Sequence, residues 1–494
     1  MTMHRFSTAE CAALLLAGAM AQAPPAQQIA SRLTANDLKA DVSFLASDAM
    51  QGRGTPSPGL DIAAEFIAAQ FRRAGLEPAG DDGYFQTASY ASITPVTEGL
   101  ELTLEIGGQA VKAEKASFAV VEAAATDLAH VAALRVAADA SGFDALTTEQ
   151  VRGKVLILDI ASRGPRLLAA IAKLQPALVI QLRPAPGGRA TGGNPLLREA
   201  SAAPIPMVMV WDEAFRSALG EAKPGPLEAT FSAHIPAPAV VPVKLRNVVG
   251  VLRGSDDGLR DTYVLLTAHY DHLGVRGTGE GDHIYNGAND DASGTASVIE
   301  IAHTLAGLPE RPKRSIVFVA LFGEELGLLG SRYYAQHPVF PPARTVADIN
   351  LEQMGRTDDN TGPRVGLVNV TGYDFTSLTG EFKKAGEEFG VQVVKDEQNS
   401  DSYFGRSDNQ AFADAGIPSH TLSVGYIFPD YHRPGDEWPK IDYDNMARVD
   451  RTVALGVFRV ADSTQEPQWN AANPKTERYI KARGSAGPAT SKPK

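Results

Sequence analysis

The chain has 494 residues, 44% of them hydrophobic, and a formal net charge of -12. That length exceeds one typical domain, so two or three are expected, and the apolar share excludes a wholly disordered chain. The acidic balance disfavours nucleic acid as a partner, because the phosphate backbone repels it.

The first predicted element is an export signal over 1–23. His4 and Arg5 open it, Ala12 to Ala19 form a short apolar stretch, and Ala19-Met20-Ala21 and Ala21-Gln22-Ala23 offer small-residue cleavage sites. The expected location is secreted or periplasmic. The single cysteine, Cys11, falls inside this segment, so the mature chain offers no thiolate as ligand or nucleophile. Any metal must be held by His and carboxylates. No apolar run is long enough for a membrane span.

Residues 24–91 read as helical: Leu60, Ala63, Ile67, Phe71 and Leu76 recur at helical spacing, and MQGRGTPSPG before them is a turn-rich loop. Over 92–243 the texture changes to short apolar runs (LELTLEI, KVLILDI, ALVIQL, IPMVMVW) separated by Gly, Pro and Ala-rich loops. These predict a separate β-rich domain without clustered ligand residues. Residues 244–462 alternate strand, loop and helix: NVVGVLRG, TYVLLTAHY, SIVFVALFG and TVADINLEQ as strands, SGTASVIEIAHTLAGL as a helix. Such alternation predicts an α/β fold with a mixed, mostly parallel sheet flanked by helices. Residues 463–494 show no periodicity and read as a flexible tail.

Candidate ligands fall at the ends of the predicted strands. TYVLLTAH ends at His269, SIVFVALFG at Glu324 and Glu325, TVADINLE at Glu352, and SHTLSVGY precedes the loop holding His432. Asp290 lies in a Gly/Asn-rich loop that opens a helix. The C-terminal edge of an open α/β sheet is where sites form, so five separated segments can converge. Neither an HxD triplet nor a Glu-Glu pair carries weight alone; the ordered conjunction does. Two His and three carboxylates suit two zinc ions, each with one His and one terminal carboxylate, bridged by Asp290 and a shared solvent molecule. Glu324 is then left as general base for that water, and Asp271 is placed to orient the His269 ring. His272, His283 and His303 lie near these motifs and are read as structural.

HYDHLG, GANDDASGTA, GEELGLLGS, INLEQMGR and YHRPGDEW together resemble the secreted co-catalytic di-zinc aminopeptidases, over residues 38 to about 460. Relatives of that family include glutamate carboxypeptidase, the transferrin receptor and glutaminyl cyclase. The resemblance implies the zinc exopeptidase fold, peptide substrates, and two zinc ions on His269, Asp290, Glu325, Glu352 and His432. It also implies Glu324 as base, Asp271 as partner of His269, and a cis bond between Asp290 and Asp291. That family usually has Asp where this chain has Glu352, which implies altered geometry or specificity rather than lost metal. VRGKVLILDI and LQPALVIQL resemble the strand pair of an inserted protease-associated domain. The expected activity is removal of N-terminal residues. The alternatives are a carboxypeptidase or a glutaminyl-cyclase-like enzyme on the same fold, or a non-catalytic receptor-like binding protein.

Overall fold

The computed structural model describes residues 23–136, 146–159, 165–183, 196–202, 204–220 and 222–485. The export signal expected over 1–23 therefore lies almost wholly outside the described residues. The chain forms two compact units, one made of the residues up to Ala88 together with those from Leu245 onward, the other of Ser89–Lys244.

The first unit is built on seven neighbouring strands of a larger sheet, in chain order β1 (Ala239–Leu252, pairing here through its last residues), β2 (Tyr263–His269), β3 (Ser315–Leu321), β4 (Thr345–Leu351), β5 (Leu367–Val370), β6 (Gln392–Val394) and β7 (Ser419–Ser423). They lie side by side in the order β6-β5-β7-β4-β2-β3-β1. β3, β2, β4 and β7 are mutually parallel, whereas β1 and β5 join antiparallel. Every residue of β2, β3 and β4 is buried. A strand covered on both faces needs a near-continuous apolar run, which β2 and β3 supply, divided between two layers by the alternation of side chains; β4 also carries Asp348 and Asn350, which both accept from the Thr267 hydroxyl at 3.0 Å. Leu265, Val317 and Val319 pack on one face with Tyr334 and Phe412. Phe318 turns to the other face, where its ring centroid lies 6.3 Å from that of Phe71. Each such side chain contributes about 1.5–3 kcal/mol by leaving water.

Phe71 belongs to the helix Pro58–Arg73, which starts where the sequence gives it a cap. The Ser57 hydroxyl accepts the Leu60 N–H at 3.1 Å, and Pro58 fills the first helical turn. The helix Gly294–Ala306 packs on β2 and β3, and the long helix Tyr443–Asp462 packs against it.

The stretch after Asp462 departs from the flexible tail expected of it. Glu477–Ser485 is helical, Trp469 and Tyr479 are buried, and their rings stack with centroids 4.8 Å apart. The Trp469 indole N–H donates to the Gly416 carbonyl at 3.0 Å. Two aromatics, joined to Phe375, Phe404 and Ala413, anchor a segment too polar to show any periodicity. Residues 486–494 lie outside the described part.

The Ser89–Lys244 unit holds an eight-stranded mixed sheet in the spatial order 109–112, 101–106, 225–235, 126–136, 155–158, 178–182, 207–210, 118–122. The apolar runs LELTLEI, KVLILDI, ALVIQL and IPMVMVW supply four of these strands. Leu102, Leu104, Ile157, Ile180, Val208 and Phe231 are fully or nearly fully buried in its core.

Candidate metal centre

His269 is the last residue of β2, and Glu352 directly follows β4. Glu324 and Glu325 sit in a single 3-10 turn just past β3. Asp290 lies in a turn, Ala288–Ser293, that leads into the helix Gly294–Ala306. Parallel strands ending on one edge thus bring the five segments together, with Asp290 at the centre. Ligand atoms of His269, Asp290 and Glu352 form one group within 4.8 Å of each other. His269 Nε2 is 3.3 Å from Asp290 Oδ1. A second group forms around the other oxygen: His432 Nε2 is 3.1 Å from Asp290 Oδ2 and 3.3 Å from Glu325 Oε1. All five residues named from the sequence are brought together. His272, read there as structural, joins the second group, with Nδ1 2.8 Å from Glu325 Oε1. His283 does not: its Nε2 lies 3.1 Å from the Gly279 carbonyl, in an exposed loop.

The loop that presents Asp290 is fixed by its own side chains. Asn289 Oδ1 accepts the N–H groups of Gly355 and Arg356, each at 2.8 Å. Ser293 Oγ accepts that of Met354 at 2.9 Å, and Asp291 Oδ1 that of Gln353 at 3.1 Å. The chain leaving β4 is thereby stitched to this turn. From the other side, Asp436 accepts the N–H groups of Asn289 and Asp290 at 3.0–3.1 Å. The Asp290–Asp291 peptide is cis. Gly287 has φ +58, and a Cβ there would sit 2.4 Å from both the Asp290 carbonyl oxygen and His272 Cγ, so only glycine fits. The GANDDASGT motif is therefore a self-braced turn holding one carboxylate outward.

Behind His269, Nδ1 lies 3.1 Å from the Asp271 carbonyl oxygen and 3.5 Å from its carboxylate. The main chain of Asp271 is the nearer partner of the ring. Its carboxylate instead accepts the Glu324 N–H and the Thr55 hydroxyl, both at 3.0 Å. Asp271 thus braces the His269 ring and the backbone of Glu324 together.

Arg53 is a residue that no sequence motif singles out. It is fully buried and has a left-handed φ of 48. Its guanidinium donates to four carbonyls: Tyr270 at 2.9 Å, Leu45 at 2.5 Å, Asn286 at 2.9 Å and Gly287 at 3.0 Å. These flank both the β2 exit and the Asp290 turn. Nothing in MQGRGTPSPG announces this beyond an arginine among turn residues.

The electrostatics are lopsided. Asp271, Asp290, Asp291, Asp408 and Asp436 are all buried, and Glu324, Glu325 and Glu352 are partly so. Burial lifts the Glu324 carboxyl well above its ordinary range, and the neighbouring Glu352, Asp408 and Glu325 lift it further, against the pull of His269. Burial would lower His432, but Asp290 and Glu325 outweigh it and push it up to about 10. His269 is likewise raised, its burial outweighed by Asp271 and Asp290. Imidazoles that hold protons this firmly sit in a field that attracts cations. Moreover, His269 Nε2, both nitrogens of His272, Asp291 Oδ2 and Glu325 Oε1 are buried without a hydrogen-bond partner among the described residues. Buried polar atoms left unpaired cost about 1–3 kcal/mol each, so a converging cluster of them fits divalent cations rather than protein partners. His and carboxylate donors without thiolate fit zinc.

Asp290, Glu324, Glu325, Glu352 and His432 open onto one cleft of about 320 Å³. Its walls also carry Leu328, Arg332, Tyr403, Arg406, Tyr426 and Ile427. His432 is fixed against Tyr431, whose ring stacks on it at 4.0 Å.

Residues 247–457 match the model of peptidase family M28. Aminopeptidase YwaD of Bacillus subtilis is 27% identical over 229 residues, 45% of this chain and 46% of that protein. A probable zinc metalloprotease of Pyrenophora teres f. teres is 39% identical over 124 residues, 25% of each chain. The match spans about half or less of the length of these curated relatives. Among solved structures, an aminopeptidase from Aneurinibacillus sp. is similar in fold, with a TM-score of 0.57 at 20% identity, covering 89% of this chain and 97% of that one.

Proposed function

Because residues 247–457 match the model of peptidase family M28, we propose that the chain is a zinc-dependent aminopeptidase that hydrolyses N-terminal residues from peptides. The observation that carries this reading is the surplus of carboxylates converging with imidazoles at the sheet edge, with buried atoms of Asp291, Glu325, His269 and His272 lacking hydrogen-bond partners among the described residues. His269, Asp290 and Glu352 would hold one zinc; Asp290, Glu325 and His432 would hold the other. When bound, such a pair lowers the pKa of a shared water and polarises the scissile carbonyl. Glu324 lines the same cleft and is not needed as a ligand, so its carboxylate takes the proton from the attacking water and returns it to the leaving amine. The Asp271 carboxylate, bound to the Glu324 N–H, sets where that carboxylate stands. The acidic lining suits a substrate's free amine, with Glu352 and Glu324 as its nearest charges.

One observation favours a second reading. Arg332 and Arg406 line the same cleft, as a carboxypeptidase or an acidic-residue preference would require. A screen of amino-acyl substrates against N-blocked peptides, with zinc present, separates the two. Cleavage of blocked peptides at their C-termini sinks the aminopeptidase reading.

The 89–244 unit is read as a protease-associated domain on its central parallel pair, Val155–Leu158 beside Leu178–Leu182. Deleting 92–243 and finding unchanged substrate preference would end any claim that it positions peptides. Export is inferred from the N-terminal motif alone; none of the helices in the described residues is long and apolar enough to cross a membrane.

A further inference from the structure

The second metal group holds one more imidazole than the proposed function uses. His272 is 1% exposed and does not line the cleft, whereas His432 reaches the same carboxylates from the cleft side. His272 Nδ1 is 2.8 Å from Glu325 Oε1 and 4.0 Å from Asp290 Oδ2. Neither ring nitrogen makes a hydrogen bond with any described residue, and Glu325 Oε1 makes none either. The 2.8 Å approach thus lacks hydrogen-bond direction. The ring has little freedom to turn away, because it rests on Gly287, where even a Cβ would lie 2.4 Å from His272 Cγ.

Around a tetrahedral zinc, with ligands about 2.0–2.2 Å from the metal, neighbouring donor atoms stand roughly 3.3 Å apart. The four spacings recorded here are 2.8, 3.1, 3.3 and 4.0 Å, spread about that edge length. An imidazole kept only for packing would leave two buried nitrogens unpaired, at about 1–3 kcal/mol each.

We infer that His272 is a ligand of the second zinc, completing a four-ligand centre with Asp290, Glu325 and His432. This rests on the two-metal reading above. The two centres are then unequal. The His269, Asp290 and Glu352 centre has three protein ligands and keeps an open position. The second would have four and take the shared water as a fifth donor, which makes it the more firmly held zinc. The second zinc is the one retained when the first is stripped.

The test is X-ray absorption at the zinc edge together with metal analysis on the full chain, for the parent, His272→Ala and His272→Gln. The expected result is three imidazoles shared by two zinc ions in the parent, falling to two in His272→Ala. Chelator titration should release zinc in two steps in the parent. The step that resists chelation should move at least about tenfold towards release in both variants, since losing a ligand weakens metal binding at least as much as losing a ligand's support. Two zinc ions with two imidazoles in the parent would overturn the assignment of His272 and leave the two-metal reading intact. A parent that binds no zinc would overturn both. The parent spectrum decides the matter even if a variant fails to fold.

Discussion

Arg53 offers a test of how the metal loop is held. Replacing it by Met keeps much of the stem and removes every donor. Three buried carbonyls, those of Leu45, Tyr270 and Asn286, then lose their partner, while that of Gly287 keeps the Ala292 N–H at 3.1 Å. At about 1–3 kcal/mol for each buried acceptor left unpaired, Arg53→Met should cost at least about 3 kcal/mol. The loss of a buried cation near Asp271, Asp291 and Asp436 works in the same direction. Arg53→Lys keeps the charge, but a point charge on a shorter reach serves only one or two of the four acceptors, so about half the cost remains. Two of those carbonyls precede Asp290 by three and four residues, so zinc affinity should fall in the same order: parent, Lys, Met. Urea unfolding of the zinc-free protein measures the first effect, and competition with a chelator the second. An Arg53→Met protein within about 1 kcal/mol of the parent, or one less perturbed than Arg53→Lys, would refute the reasoning.

Three further outcomes are expected. Glu324→Gln should keep its zinc and lose about 10²–10⁴ in kcat, the range of a lost general base, whereas His432→Ala should lose metal affinity first; equal metal loss in both would contradict the division of roles. Gly287→Ala should destabilise the protein and release zinc, because its Cβ meets the Asp290 carbonyl and the His272 ring and the backbone φ is +58; an unchanged melting temperature would argue against the braced turn. Asp41 and Glu300 form a buried acidic pair. Burial, and then the charge of Glu300, push Asp41 up to about 8; burial, and then Asp37, push Glu300 up to about 7. A carboxyl raised on folding adds stability that is complete below its unfolded pKa and is lost as pH rises through the folded one. Stability should therefore decline between about pH 4 and 8, by about 1.4 kcal/mol per pH unit for each proton. Asp41→Asn should flatten that decline and be the more stable protein at about pH 9; parallel pH profiles would dismiss the pair.

Much of the first unit was legible because its pattern is written in local runs. β2 and β3 are near-continuous apolar stretches leading to His269 and to Glu324 and Glu325, as a doubly covered parallel sheet requires. What escaped reading depends on distant partners. His272 follows His269 by three residues at a strand exit, where a structural histidine looks the same; only Glu325, brought in by β3, marks it. Arg53 reaches carbonyls more than two hundred residues away through a left-handed backbone that no motif specifies. The Trp469 and Tyr479 anchor rests on two aromatics in a polar stretch, below any periodic signal.

The central claim is that these residues hold a zinc pair that the reaction needs. Stripping the protein with a chelator and adding zinc back in counted equivalents, while following hydrolysis of an amino-acyl substrate, tests it most directly. The account predicts that activity vanishes on chelation, returns with zinc and reaches its plateau at two equivalents per chain. Activity indifferent to chelation, or a stripped protein that takes up no zinc, would contradict it.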